Sequence, residues 1–279
     1  MKQFKDRVAV ITGAASGIGL AVARKLAERG THLAISDIDE TDLKKAESEL
    51  ANKVKIHSSI LDVADKEAWV KYTEDVIGFF GNVHILVNNA GIGIVGFVND
   101  MKISDYERTM NIHFGGVLNG TKNFLPHLLE QEEAHISNLS SVAGLVGVPG
   151  WSAYCAAKSA IRGFTESLRL EMKDTRVGVT SVHPGIIKTN IVKNFEEPTG
   201  KPIYGSRKLG GEEQQKAFEN NILFTPVETA AEAIIDGMAR NKARVLIGND
   251  AMVIDLVQRT LPDNYGILNE VAKLIVNNI

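Results

Sequence analysis

The stretch VAVITGAASGIGLAVARKLAERG, residues 8–30, decides how this chain is read. Five apolar or β-branched residues, Val8 to Thr12, run straight into a glycine-rich turn, and the turn runs into a segment of helical period. Ile18, Val22 and Leu26 recur at helical spacing, and Gly30 supplies a stop. A strand, a turn holding Gly13, Gly17 and Gly19, and a helix form the opening βα unit in which a pyrophosphate can sit on a helix N-terminus. The glycine spacing is GxxxGxG, and such a turn alone is equally consistent with a plain loop.

Working outward, the same alternation repeats. HLAISD (32–37), VKIHSS (54–59), VHILVNNAG (83–91), AHISNLSS (134–141), VGVTSVHPG (177–185) and ARVLIG (243–248) read as strands. Helical patterns lie between them, including one from about Ser104 to Leu129 and one over about 226–240. Strands that are apolar throughout are buried on both faces, and strands alternating with helices form a parallel sheet covered on both sides. The expectation is an α/β, Rossmann-type, three-layer doubly wound fold with a seven-stranded parallel sheet, as one domain over residues 1–279.

Two regions depart from this rhythm. Residues 190–225 carry glycines, prolines and charges in a connection long enough to read as a lid over the site. From 251 to 279 two amphipathic stripes follow one another, a pattern that fits core packing, a subunit interface, a flap over the site or a membrane-surface helix.

The 279 residues are 44% hydrophobic and 23% charged, with a net charge of −3, so nothing suggests a nucleic-acid partner. The single cysteine, Cys155, leaves neither an internal disulfide nor a Cys-ligated zinc site, and no metal is expected. The first residues enter a strand without a signal-peptide pattern, and no run of 18 apolar residues occurs. A cytoplasmic protein without integral membrane association is the expectation.

Asp37 ends the second strand, 18 residues after Gly19. A carboxylate there suits the two hydroxyls of an adenosine ribose and repels a 2′-phosphate. Neither Ser36, Ile38 nor residues 14–18 offer a cation, so the reading is NAD over NADP. Helix-capping is the competing role for Asp37. In SAYCAAKSAIRGF (152–164), Tyr154 and Lys158 stand four apart and share a helix face. An ammonium beside a phenol favours phenolate, which suits a proton-exchanging tyrosine.

TGAASGIG, NNAG at 88–91, Ser141, YCAAK and PGIIKT at 184–189 occur in one order, and together they resemble the classical short-chain dehydrogenase/reductase (SDR) family over roughly residues 5–250. The resemblance implies that Gly13, Ser16, Gly17, Ile18 and Gly19 line the pyrophosphate and Asp37 the adenosine ribose. Asp62 and Val63 flank the adenine, and Asn89, Ala90 and Gly91 form a floor beside the adenosine. Ile187 and Thr189, after Pro184 and Gly185, hold the nicotinamide carboxamide. The catalytic set it implies is Asn111, Ser141, Tyr154 and Lys158, with Ser141 chosen over Ser140 by its distance of 13 residues from Tyr154. His84 stands where the family often carries Asp, and His113 and His183 are read as supporting residues.

The implied activity is NAD-dependent hydride transfer between a hydrophobic, steroid-like secondary alcohol and its ketone, in a homotetramer or dimer. An NADPH-dependent ketoreductase and a non-catalytic NAD(H)-binding sensor or scaffold are the alternatives.

Overall fold

The computed structural model describes residues 1, 3–187, 195–196, 225–264 and 266. The elements run β1 (Val8–Thr12), α1 (Gly17–Glu28), β2 (His32–Asp37), α2 (Glu40–Leu50), β3 (Ile56–Ile60), α3 (Lys66–Phe80) and β4 (Ile85–Asn88). There follow β5 (Gly93–Ile94), α4 (Ile103–Met110), a π-turn (Asn111–Gly115), α5 (Gly116–Leu129), β6 (Ala134–Leu139) and α6 (Ser152–Glu171). Then come β7 (Val177–Pro184), β8 (Phe195–Glu196), a helix over Val227–Ala239, β9 (Arg244–Ile247) and a helix over Asn249–Thr260.

Seven strands form one sheet in the order β3-β2-β1-β4-β6-β7-β9, and every pairing is parallel. The expected three-layer architecture is therefore what the chain adopts. Alternation along β1 shows why: Ala9 and Ile11 pack with α1, α2 and the Val227–Ala239 helix, while Val8 and Val10 pack with Trp69, Val76 and Phe124 on the other face. Each face has its own apolar cluster, so a strand that exposed either side would lose burial there.

Helix starts follow local chemistry. Asp39 caps α2 by accepting from the Asp42 amide (3.0 Å), and Asp65 caps α3 by accepting from the Ala68 amide (3.0 Å). Capping of α2 thus belongs to Asp39, which leaves Asp37 free of that duty. Gly81 ends α3 with φ 81°, the left-handed conformation glycine adopts without strain.

Two features were not anticipated. The helix expected from about Ser104 to Leu129 is interrupted by the π-turn, whose extra residue shifts the faces of α4 and α5 relative to one another. Gly93–Ile94 also pairs in parallel with Phe195–Glu196 as a separate two-stranded ribbon. The connection read as a lid is otherwise outside the described residues, as is most of the tail beyond residue 264.

β1 leads out to β2 and β3 on one side. The chain then returns to β4 on the other side of β1 and continues outward from there. The reversal opens a crevice beyond the C-terminal ends of β1 and β4, the place where open α/β sheets bind ligands. Trp69 braces that region from below. It is fully buried, edge-on to Tyr72 and Phe124, and donates from Nε1 to the Val63 carbonyl (2.9 Å). Trp69→Ala is expected to lower the free energy of unfolding by about 3–5 kcal/mol, read from urea denaturation curves.

Candidate active site

The glycine-rich turn lies over the β1–β4 crevice and is stitched to it. Asn89 donates from Nδ2 to the carbonyls of Thr12 and Gly13, both at 2.9 Å. The Thr12 hydroxyl accepts from the amides of Asn89 (3.1 Å) and Ala90 (3.2 Å). Gly13 has φ 64°, and a Cβ there would stand 2.8 Å from the Ala90 Cα. A Cβ on Gly19 would overlap the Gly13 carbonyl and come within 2.6 Å of Asn89 Nδ2. Ser16 precedes α1 without a side-chain capping bond, and the first turn of α1 holds no acidic residue. The helix start at Gly17 and Ile18 thus keeps its amides and positive dipole end for an anion.

Asp37 reaches this turn from the end of β2. Its Oδ2 accepts from the Ala15 amide (2.9 Å), and its Oδ1 accepts from the amides of Ile38 (2.8 Å) and Asp39 (3.1 Å). The exposed Asp62 accepts from the Ala64 amide (2.9 Å). Val63 is buried against Gly116, with its carbonyl engaged by Trp69. A Cβ-free cradle, an uncapped helix start and a carboxylate at its rim fit a dinucleotide.

The Tyr154 helix is fixed to β6 by two bonds that cross each other. The Lys158 ammonium, 4% exposed, donates to the Leu139 carbonyl (2.9 Å), and the Ser140 hydroxyl donates to the Lys158 carbonyl (2.7 Å). Ser140 is thereby committed to structure. Ser141 is half-buried and opens a short 3-10 turn by accepting from the Ala143 amide (3.1 Å). His183 holds the Ser141 carbonyl through Nδ1 (3.1 Å) and is itself met at Nε2 by the Ser181 hydroxyl (2.9 Å). This supporting role is the one expected of His183. His84 likewise packs beneath β4 and accepts from the Val8 amide (3.2 Å).

Tyr154 is half-buried between two rings, edge-on to Trp151 (5.5 Å between centroids) and to His113 (5.2 Å). Lys158 Nζ lies 5.5 Å from the Tyr154 ring centre. Burial pushes the phenol up to about 12, against a hydrogen bond with Ser141, and burial pushes the Lys158 ammonium down to about 7. The expectation that the ammonium draws the phenol down towards neutrality is therefore corrected. Desolvation is the larger influence on both groups. Cys155, half-buried, has its thiol pushed up by burial and stays a thiol.

Asn111 is exposed at the first position of the π-turn, and the side chain of this segment that meets the Tyr154 ring is His113. A periodic signal was present: His113 precedes Val117, Phe124 and Leu128 on the buried stripe of the helix, and Asn111 lies off it. Asp250 was also missed. Its Oδ2 accepts from the Ile186 amide (2.7 Å), and the Gly185 amide donates to the Ile247 carbonyl (2.8 Å), so the segment after Pro184 is pinned. Ile187 is buried and bridges to Thr225, whereas Thr189 lies outside the described residues.

Residues 7–200 match the family model of the short chain dehydrogenases. The chain belongs to that family of oxidoreductases. It is 43% identical over 272 residues to the Mycobacterium tuberculosis protein SadH, covering 95% of this chain and 94% of that one. It is 31% identical over 244 residues to a cyclohexanol dehydrogenase of Acinetobacter sp., covering 86% and 97%. A short-chain dehydrogenase/reductase from Burkholderia phymatum, solved in complex with NAD, superposes with a TM-score of 0.83 at 28% identity, covering 96% and 97%.

The buried histidines set a pH dependence. His183 is held by burial at about 4, below the unfolded value near 6.5, so it is neutral in the folded chain. Its contribution is complete above pH 6.5 and is lost as pH falls towards 4, because the unfolded chain binds a proton that the folded chain does not. Urea midpoints are expected to decline over that window, and less steeply in His183→Gln.

Proposed function

We propose that the chain is an NAD-dependent dehydrogenase/reductase that interconverts a hydrophobic secondary alcohol and its ketone. The observation that carries this reading is the gathering of Ser141, Tyr154 and Lys158 beside the β1–β4 crevice, on a helix and a turn both anchored to β6. A nicotinamide held there would supply the hydride chemistry, as acceptor for alcohol oxidation and as donor for ketone reduction.

In alcohol oxidation Tyr154, as phenolate, takes the hydroxyl proton; in ketone reduction the phenol gives it back. Ser141 orients the substrate oxygen beside the phenol. Lys158, held at the Leu139 carbonyl, supplies positive charge on the same face of α6. The glycine turn and the start of α1 would hold the pyrophosphate, with Asn89, Ala90 and Gly91 as the floor. Pro184, Gly185, Ile187 and Thr189 complete the proposed nicotinamide side.

Asp37 supports NAD over NADP. Its carboxylate stands at the rim of the turn with the uncharged Ile38 beside it, so a 2′-phosphate would meet negative charge. An apolar wall supports the substrate class. The Gly96 amide bonds to the Gly150 carbonyl (2.8 Å), bringing Phe97 and the 66%-exposed Val98 to the segment that carries Trp151. The cyclohexanol dehydrogenase among the relatives is consistent with an apolar alcohol. A cytoplasmic homo-oligomer, tetramer or dimer, is the setting that the family resemblance implies.

NADH formation from cyclic and linear secondary alcohols tests the reading, with sugar alcohols as controls. Apolar alcohols are expected to turn over with NAD faster than with NADP. Tyr154→Phe is expected to cost about 10²–10⁴-fold or more in kcat. Because the phenol sits near 12, alcohol oxidation should rise with pH across the neutral and alkaline range as phenolate grows. Silence with every alcohol and ketone, despite NADH binding, would favour a sensor over an enzyme.

A further inference from the structure

His113 is a buried polar side chain edge-on to the proposed acid–base tyrosine, and the reading above leaves it without a task. Its surface is fully covered, and its ring stands perpendicular to Tyr154, with 86° between the planes. Nε2 meets both polar groups of Ile92, lying 2.8 Å from its carbonyl oxygen and 3.3 Å from its amide nitrogen. Nδ1 is buried and has no hydrogen-bond partner among the described residues. A group that only filled space would not bring a buried orphan nitrogen into an apolar helix face.

The surroundings are shaped to the ring. Residue 91 is glycine, and a Cβ there would stand 2.5 Å from His113 Cε1 and 2.9 Å from Nδ1. The backbone after β4 therefore lies flat against the imidazole, and Ile92 holds the ring's orientation. The π-turn buries this side chain, whereas Asn111, at its first position, is exposed. Among the described residues, the Lys158 ammonium of α6 acts on this ring, and the Tyr154 phenol of the same helix stands edge-on to it. Burial and the Lys158 charge both hold the imidazole well below its ordinary value, so it remains neutral.

We propose that His113 is a positioning residue, whose imidazole, anchored at Ile92, fixes the Tyr154 ring and lends the acid–base site a neutral, polar wall. A polar wall beside the phenol offsets part of the desolvation that burial imposes on its phenolate. This inference rests on the acid–base role of Tyr154 stated above.

The test uses the full chain with His113→Phe, which keeps a ring and removes both nitrogens, and His113→Gln, which keeps an N–H donor and removes the ring. Two readouts are needed. One is kcat and KM on the best alcohol. The other is the ionisation of Tyr154, followed without turnover by ultraviolet difference spectra against Tyr154→Phe.

His113→Phe is expected to lower kcat about 10–100-fold with little change in KM, as for a misplaced catalytic group. It is also expected to move the phenol midpoint upward, and the pH profile of oxidation with it. An unchanged phenol midpoint and an unchanged kcat in His113→Phe would reduce His113 to packing and overturn the proposal. Should that variant fail to fold, His113→Gln decides by the same two readouts. If the wild-type chain turns over no substrate, the dehydrogenase reading falls, while the spectral shift still decides the role of His113.

Discussion

A buried ammonium governs how this site is built. Lys158 is almost wholly covered, and placing a charge there is costly unless it is hydrogen-bonded. The Leu139 carbonyl supplies the bond, and the Ser140 hydroxyl binds the lysine's own carbonyl in return. α6 is thus attached to β6 at the level of the turn that carries Tyr154 and Lys158. Gly144 has to be small here, since a Cβ would stand 2.7 Å from that same Lys158 carbonyl. The lysine's depressed affinity for its proton and the tyrosine's raised one follow from the dryness of this junction.

The attachment extends beneath the site. Asn88 of β4 donates to Asn138 of β6 (2.8 Å), Asn138 donates to Thr165 of α6 (3.1 Å), and Thr165 donates to the Ile161 carbonyl (2.6 Å). This polar chain runs through an otherwise apolar layer and relates α6 to two strands at once. These bonds tie the helix to both strands, while Asn88 Oδ1 is buried without a partner among the described residues. Packing against Trp69 and Phe124 then seals the same face.

Much of the architecture was legible in the chain. Most of the seven strands are apolar on both sides, and a strand of that kind is stable only when helices cover both of its faces, so the type and order of these elements were readable with ends off by up to three residues, as at β4. The two-residue strands at Gly93 and Phe195 are too short for any periodicity to mark them. The π-turn was hidden because one inserted residue leaves composition unchanged. The inward place of His113 was legible in its spacing to Val117, Phe124 and Leu128, whereas a role for Asn111 rests on the resemblance alone. The direction in which Tyr154 and Lys158 titrate was not legible either, because desolvation depends on neighbours that the sequence brings together only after folding.

The contact of Gly91 with the His113 ring has a consequence for how this chain can vary. The two residues share one small volume, so neither can be chosen independently of the other. Any side chain at 91 demands that the ring at 113 shrink or leave. A smaller residue at 113 would in turn admit bulk at 91 and release the backbone between β4 and β5 from its present course. For a designer seeking to reshape the entrance around Ile92 and Ile94, the two positions are a single coupled variable: a library that randomises one alone will sample mostly clashes or voids.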